Sequence, residues 1–325
     1  MRTIAFDMMG NDNGVRAGVE AVNEFVAKNL DYNFVLVGDI KEINKYTKET
    51  ERIRIIDAKE IDSKSGALAA RKSKNSMSVA INLVKEGKAD AVISSGDSGS
   101  FLSMSTLNLK RIKGVKRPAF MPIVPSVVPG QRFLLMDVGA NLETSSEMLV
   151  QWAKLGSAFS KANLKVNKPR VGIINIGTED KKGHAFQQEA NKILKKDRKI
   201  NYVGFIESRE ILNDVVDVAI VDGYAGNMIL KTLEGTVLSM LKLLKGKLMS
   251  KTKYKIGALI SKGAFTAVKE QLDYRNVGAA WVIGLNGLAI KTHGSSDKKS
   301  YVGAFGQIRN AVESNALEEL KKGFK

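Results

Sequence analysis

The sequence predicts an α/β fold, a three-layer α/β/α sandwich around a mainly parallel sheet with a basic helical hairpin protruding from it. Three observations predict it. Short β-branched or apolar runs alternate with longer stretches of helical period, the βαβ signature of a sheet covered on both faces. Polar, glycine-containing turns follow several of the apolar runs. The alternation is interrupted at residues 236–272, where helical period and lysine take over.

Taken in order, the runs at 2–8, 33–38, 52–57 and 90–94 read as strands, followed by 119–125, 132–138, 170–176, 201–205 and 216–221, and then by 279–284 and 287–292. Between them, Val15, Val19, Val22 and Val26 form one helical stripe, and Met77, Ala80, Ile81 and Val84 another. Met148, Trp152, Leu155 and Phe159 form a third, and Phe186, Ala190, Ile193 and Leu194 a fourth. All are expected to cover the sheet. No Gly/Ser-rich linker, low-complexity tract or internal repeat divides the chain, so 1–325 reads as one domain with the 236–272 hairpin inserted in it. In the hairpin Val237, Leu241, Leu244 and Leu248 share a face, with Lys242, Lys245, Lys247 and Lys251 among or after them. Leu241, Leu244, Lys245 and Leu248 are the residues expected to touch an anionic lipid surface, a second copy of the chain, or both.

Composition narrows the function. The chain has 325 residues, 44% of them hydrophobic, and no window approaches the roughly 18 uncharged apolar residues of a membrane span. The opening MRTIAFDMMG enters a strand pattern directly, and the expected location is the cytoplasm. Absence of cysteine excludes disulfides, thiolate metal sites and a thioester on a protein sulfur. With His184 and His293 as the two histidines, a His-rich metal site is not expected. The net charge of +17 implies an anionic partner, although a lysine-rich surface can also arise without one. The basic runs lack interleaved aromatics, which argues against nucleic acid.

Six turns carry the candidate chemistry: "DMMGNDNG" (7–14), "SSGDSGS" (94–100), "DVGAN" (137–141), "NIGTEDKKGH" (175–184), "DGYAGN" (222–227) and "THGSS" (292–296). A single such turn is explained by punctuation and helix capping. Six together, with Lys181, Lys182 and His293 among them, point to an anion site, expected at one carboxyl edge of the parallel sheet. Its candidate binding residues are Asp7, Gly10, Asp12, Ser95, Gly96, Ser98, Gly99, Asp137, Asn141, Asp222, Gly223, Gly226 and Ser295. The phosphate loop G-x-x-x-x-G-K-[ST], a dinucleotide G-x-G-x-x-G and the nucleophile elbow G-x-S-x-G are all missing.

These turns, in this order and spacing, resemble the bacterial phosphate acyltransferases. Matching stretches include Asp7, Met9, Gly10 and Asp12, "SMSVAINLVKEGKADAVISSG" (76–96) with Gly99, Arg117-Pro118-Ala119 and "LLMDVGAN" (134–141). Further on come "GIINIGTEDKKG" (172–183), "DVVDVAIVDGYAGNMILKTLEG" (214–235) and "GLNGLAIKTHGSS" (284–296). The resemblance implies an α/β/α sandwich related to phosphotransacetylases and isocitrate-dehydrogenase-like enzymes. It also implies a homodimer at the inner membrane face, with no cofactor and no metal. The implied reaction takes long-chain acyl-acyl-carrier-protein and inorganic phosphate to acyl phosphate and free carrier, feeding glycerophospholipid synthesis. The chain departs from the family pattern at Asn11, at Asp97-Ser98-Gly99 where Asn-Thr-Gly is usual, at "VGAAW" (277–281) and at His184. Asp97 would repel phosphate unless it caps the following helix.

Phosphate is itself a nucleophile, so such an enzyme needs to position it against a thioester and stabilise the oxyanion. Lys182 is expected to neutralise charge, Asn227 to donate to phosphate or thioester oxygen, and His293 to assist the leaving thiolate. Asp7, Asp137 and Asp222 are expected to orient backbone and lysines; a metal held by these three with Asp12 would require all four to converge. Surface lysines around the crevice mouth suit an acidic carrier protein. Two other readings stay open: a phosphotransacetylase-like exchange on acyl-CoA, and a non-enzymatic basic protein that binds nucleic acid.

Overall fold

The structure, a computed structural model, describes residues 1–48, 51–59, 75–272 and 279–324; Val277 and Gly278 of the "VGAAW" stretch lie outside them. The eleven strands among the described residues match the expected runs to within two residues at each end. They are β1 Arg2–Asp7, β2 Tyr32–Gly38, β3 Ile53–Asp57, β4 Ala91–Ser94, β5 Ala119–Pro125, β6 Arg132–Met136, β7 Arg170–Asn175, β8 Asn201–Glu207, β9 Val218–Ile220, β10 Ala279–Ile283 and β11 Leu288–Thr292. All lie in one sheet, ordered β3-β2-β1-β4-β11-β10-β5-β6-β9-β7-β8.

The sheet is mainly parallel but not uniform in direction. Strands β3, β2, β1, β4 and β11 run one way. Strands β6, β9, β7 and β8 run parallel to each other in the opposite sense, because β11–β10, β10–β5 and β5–β6 are all antiparallel. The expectation that all six turns share one carboxyl edge is therefore corrected. The turns after β1, β4 and β11 stand at one edge, and those after β6, β7 and β9 at the other. Connection length accounts for two of these three reversals, since 126–131 joins β5 to β6 and 284–287 joins β10 to β11, and the third, β10 against β5, leaves the two blocks opposed. A parallel crossover needs about a dozen residues, so both connections must be hairpins.

Alternate strand residues feed two separate cores. Phe6, Leu36, Ile93, Met121 and Ile290 belong to one, and Ala5, Val35, Val92, Phe120 and Ala289 to the other. The first is covered by α1 (Arg16–Lys28), α5 (Ser146–Phe159), α6 (Ala185–Lys196), α10 (Lys298–Glu313) and α11 (Ala316–Gly323). The short α2 (Ile40–Asn44) adds Ile43 to that core. The second is covered by α3 (Ser76–Lys85), α4 (Ser98–Leu109) and the start of α7 (Gly223–Leu248). The expected stripes face the cores, with Val19, Val22, Trp152 and Phe159 completely buried and Val84 and Phe186 partly so, but Ile193 is 39% exposed. Adjacent residues stand about 100° apart on a helix, which puts Ile193 at the margin of the face centred on Ala190 and Leu194.

The 236–272 stretch differs from its expected form. Helix α7 runs unbroken through position 236, and α8 (Thr252–Ile260) and α9 (Lys262–Gln271) follow. Nothing in α7 stops a helix: it lacks proline, and Gly235 and Gly246 each cost only about 1 kcal/mol against alanine. Helices α8 and α9 bury no residue, while Leu259 and Ile260 are 72% and 81% exposed. The end of α9 is tied back by Gln271 Nε2, which donates to the Ser126 carbonyl at 2.7 Å.

Candidate active site

On the second face, over β5 and β10, lies a cavity of ≈ 550 Å³. One wall is apolar, formed by Phe120, Pro122, Val124, Val138, Leu230 and Ala280. The other carries Asp12, Ser95, Ser98, Lys291, His293 and Ser295. The first turns of α7 close the space with Asn227, Leu230, Lys231 and Glu234, whose spacing of three, four and seven residues puts them on one helical face.

At the edge formed by β1, β4 and β11, three turns lock together. Gly10 is required by close approach, since a Cβ there would stand 2.2 Å from the Gly96 nitrogen. Asp7 lies beneath, accepting from Ser76 Oγ and Ser94 Oγ at 2.6 Å each; burial pushes its carboxyl up, partly countered by these bonds. Ser95 Oγ shares hydrogen bonds with Tyr301 Oη at 2.5 Å and Thr292 Oγ1 at 2.8 Å, and Asn11 donates to the same tyrosine at 2.6 Å. Asp12 N–H donates to the Gly294 carbonyl, joining the first and last turns. Asp97 caps α4 by accepting from Ser100 N–H at 2.8 Å, a bond that also holds its carboxyl below the usual range. Its departure from the family pattern is thus accommodated by capping. Gly99 lies beside this cap and does not line the cavity.

At the opposite edge Asp137 is fully buried, accepting from Phe120 N–H at 2.9 Å and Asn141 N–H at 2.8 Å; burial raises its carboxyl despite these bonds. Asn141 Nδ2 reaches the Pro118 carbonyl at 2.8 Å. Helix α7 starts against this knot. A Cβ on Gly226 would stand 1.9 Å from the Asp137 carbonyl oxygen, and one on Gly223 would stand 2.2 Å from that of Asn141. Asp222 caps the helix through Ala225 N–H at 2.9 Å. The outcome is that Asn227 faces the cavity, beside Gly139, with no side-chain hydrogen bond among the described residues.

The sequence-derived residues therefore divide. Gly10, Asp12, Ser95, Gly96, Ser98, Asn227, His293 and Ser295 line one cavity. Asp7, Asp137, Asn141, Asp222, Gly223 and Gly226 build its walls from behind. Asp7 and Asp12 stand at the opposite edge from Asp137 and Asp222, so these four do not converge; among the described residues no group of three His, Asp or Glu could hold a metal ion. Lys182 is exposed on the turn after β7, at Asn227's edge, and does not line the cavity. His184 opens α6, its N–H donating to Gln187 at 2.9 Å and its ring stacked on Phe186. Leu241, Leu244, Lys245 and Leu248 lie further along α7; Leu244 and Lys245 are exposed.

His293 Nδ1 accepts from Ser295 N–H at 3.1 Å and shares a bond with Ser295 Oγ at 2.7 Å. In the neutral ring the proton then sits on Nε2. Two lysines were not foreseen. Lys231 lies on α7, paired with Glu234 at 3.1 Å. Lys291 lies on β11, 8% exposed, its Nζ donating to the Thr292 carbonyl. Burial lowers its pKa to about 8, with Lys231 pushing the same way and Asp7, Asp97 and Asp12 opposing. A signal for it existed: a lysine inside the apolar run "LAIKT" breaks the pattern of a buried strand.

Comparison with known proteins adds the family. Residues 2–319 match the model of the family described as fatty acid synthesis protein. The chain is 54% identical over 325 residues to a phosphate acyltransferase of Mycoplasma mobile and 51% over 323 to one of Mycoplasmopsis pulmonis, covering 99% of each chain in both pairs. Among solved structures it resembles a phosphotransacetylase from Streptococcus pyogenes, with a TM-score of 0.63 at 17% identity, covering 98% of this chain and 94% of that one. That likeness speaks for the fold. The chain belongs to the fatty acid synthesis protein family, alongside relatives named phosphate acyltransferase, and is an acyltransferase enzyme that works with phosphate.

Proposed function

We propose that the chain moves a long-chain acyl group from acyl carrier protein to inorganic phosphate, giving acyl phosphate and free carrier for glycerophospholipid synthesis. The observation that carries this reading is a single cavity whose apolar wall suits an acyl chain and whose other wall bears Lys291, His293 and Asn227, suited to an anion beside a carbonyl. A phosphate oxygen attacks the thioester carbon, the C–O bond forms, and the tetrahedral intermediate collapses with loss of the C–S bond. Asn227 donates to phosphate or to the developing oxyanion. His293 offers Nε2–H to the departing thiolate, which takes its proton from solvent. Lys182, exposed at Asn227's edge, steers anionic substrates from outside.

The exposed Leu259, Ile260 and Ile256, with lysines on α7 to α9, support reversible seating on anionic lipid at the inner membrane face, and α7 also offers a surface for a second copy. No helix among the described residues is long and apolar enough to cross a membrane. Incubation with palmitoyl-acyl-carrier-protein and labelled phosphate should give a labelled acyl phosphate that hydroxylamine destroys; no such product means the reading is wrong. Acyl-CoA substrates run in parallel test the phosphotransacetylase-like alternative, which predicts equal or faster turnover with them.

A further inference from the structure

We infer that Lys291 is the residue that seats inorganic phosphate in this cavity, an assignment that rests on the acyl-to-phosphate reading above. The helix starts around the cavity do not offer a free seat. Asp97 caps α4, Asp222 caps α7, and Asp297 caps α10 by accepting from Ser300 N–H at 2.9 Å. A carboxylate at each of these starts already takes backbone donors and repels a second anion. The glycine turns are likewise closed on each other, Gly10 against Gly96 and Gly226 against Asp137. Anion recognition falls instead to side chains.

Lys291 is suited to it. Its ammonium has three donors, and among the described residues it satisfies one acceptor, the Thr292 carbonyl, with no ion pair. A buried ammonium with unmet donors is costly unless an anion completes it. Lys291 stands beside Ser94 in the β4–β11 register, so Nζ belongs to the cavity wall built by the turns after β4 and β11. The groups facing it are Asp7 on β1, Asp12 beyond β1, Asp97 beyond β4 and Lys231 on α7, with His293 two residues along. Asp97 is committed to its cap and Lys231 to Glu234, leaving Lys291 as the cation of the cavity without an ion pair among the described residues.

The test compares wild type with Lys291→Met, which keeps the length of the stem and removes the charge. Inorganic phosphate is expected to raise the wild-type Tm and to leave that of Lys291→Met unmoved. Its KM for phosphate should rise at least about tenfold, with the KM for acyl-acyl-carrier-protein within about twofold. Lys291→Arg should recover part of the phosphate response. Equal stabilisation of wild type and Lys291→Met by phosphate overturns the assignment. In the wild-type protein, which needs no variant to fold, the phosphate-induced rise in Tm should shrink as pH climbs from 7 to 10 and the ammonium is lost; a rise undiminished at pH 10 overturns it equally. The two readings fail separately. Phosphate binding without acyl phosphate production removes the reaction, whereas acyl phosphate made by Lys291→Met at unchanged phosphate KM removes the seat.

Discussion

Asn227 shows how much of this site is made by residues that never touch a substrate. Its side chain reaches the cavity because Gly226 lets the helix start within contact of the Asp137 main chain, and because Asp137 is itself held by three backbone donors. Asn227→Ala should therefore reduce turnover by about two to three orders of magnitude with Tm unchanged, the usual effect of losing one oxyanion donor; activity within twofold of wild type would remove the role. Gly226→Ala should fail differently. Its methyl group meets a backbone carbonyl, and overpacking of that kind costs about 1–3 kcal/mol, so Tm should fall along with activity. Lys291 adds a pH signature. Folding lowers its pKa from 10.5 to about 8, so the unfolded chain holds the extra proton between those values and stability should rise as pH climbs through them. The full swing is roughly 3 kcal/mol. Lys291→Met should lack this rise in denaturant titrations without phosphate.

Among the elements, α7 joins two environments. At its start Ala225, Ile229, Leu230 and Leu233 pack on the second core, and further along Leu238, Met240 and Leu243 are exposed. At about 1.5 Å per residue its 26 residues span about 39 Å. The lysine-rich composition of 236–272 announced an amphipathic element, but a boundary at 236 was not readable, because glycine alone does not end a helix and residues 223–248 contain no stronger signal. Replacing Leu259 and Ile260 together by Glu should abolish flotation with anionic liposomes while turnover in free solution stays within about twofold. Flotation that survives the double change would shift lipid contact elsewhere. The individual strands were legible because period and residue type select them locally, and the fourth helical stripe overreached by one residue at Ile193 for an equally local reason.

For the whole molecule, the layered architecture followed from alternation of strand and helix, but the directions of the strands did not, since a buried strand reads alike whichever way it runs. Two short connections, 126–131 and 284–287, held part of that information, but the antiparallel pairing of β10 with β5 joins strands far apart in the chain, which no local signal announces. The same limit applies to the site. Loop residues such as Asp12, Ser95 and His293 could be picked by type, whereas Lys231 and the apolar wall of β5 join them only through tertiary packing, Lys291 is hidden inside a buried strand of the first block, and Lys182 stands outside the cavity. Pairing of β10 with β5 is the seam between blocks, like the spine of an open book: Lys291 is printed on one page and Asn227 on the other. With strands about 4.8 Å apart, five degrees of added bend about that spine would shift one page by roughly 1 Å at two strands' distance. Such a shift is enough to make or break a hydrogen bond, so the four residue pairs joining β10 to β5 set the gap between Lys291 and Asn227.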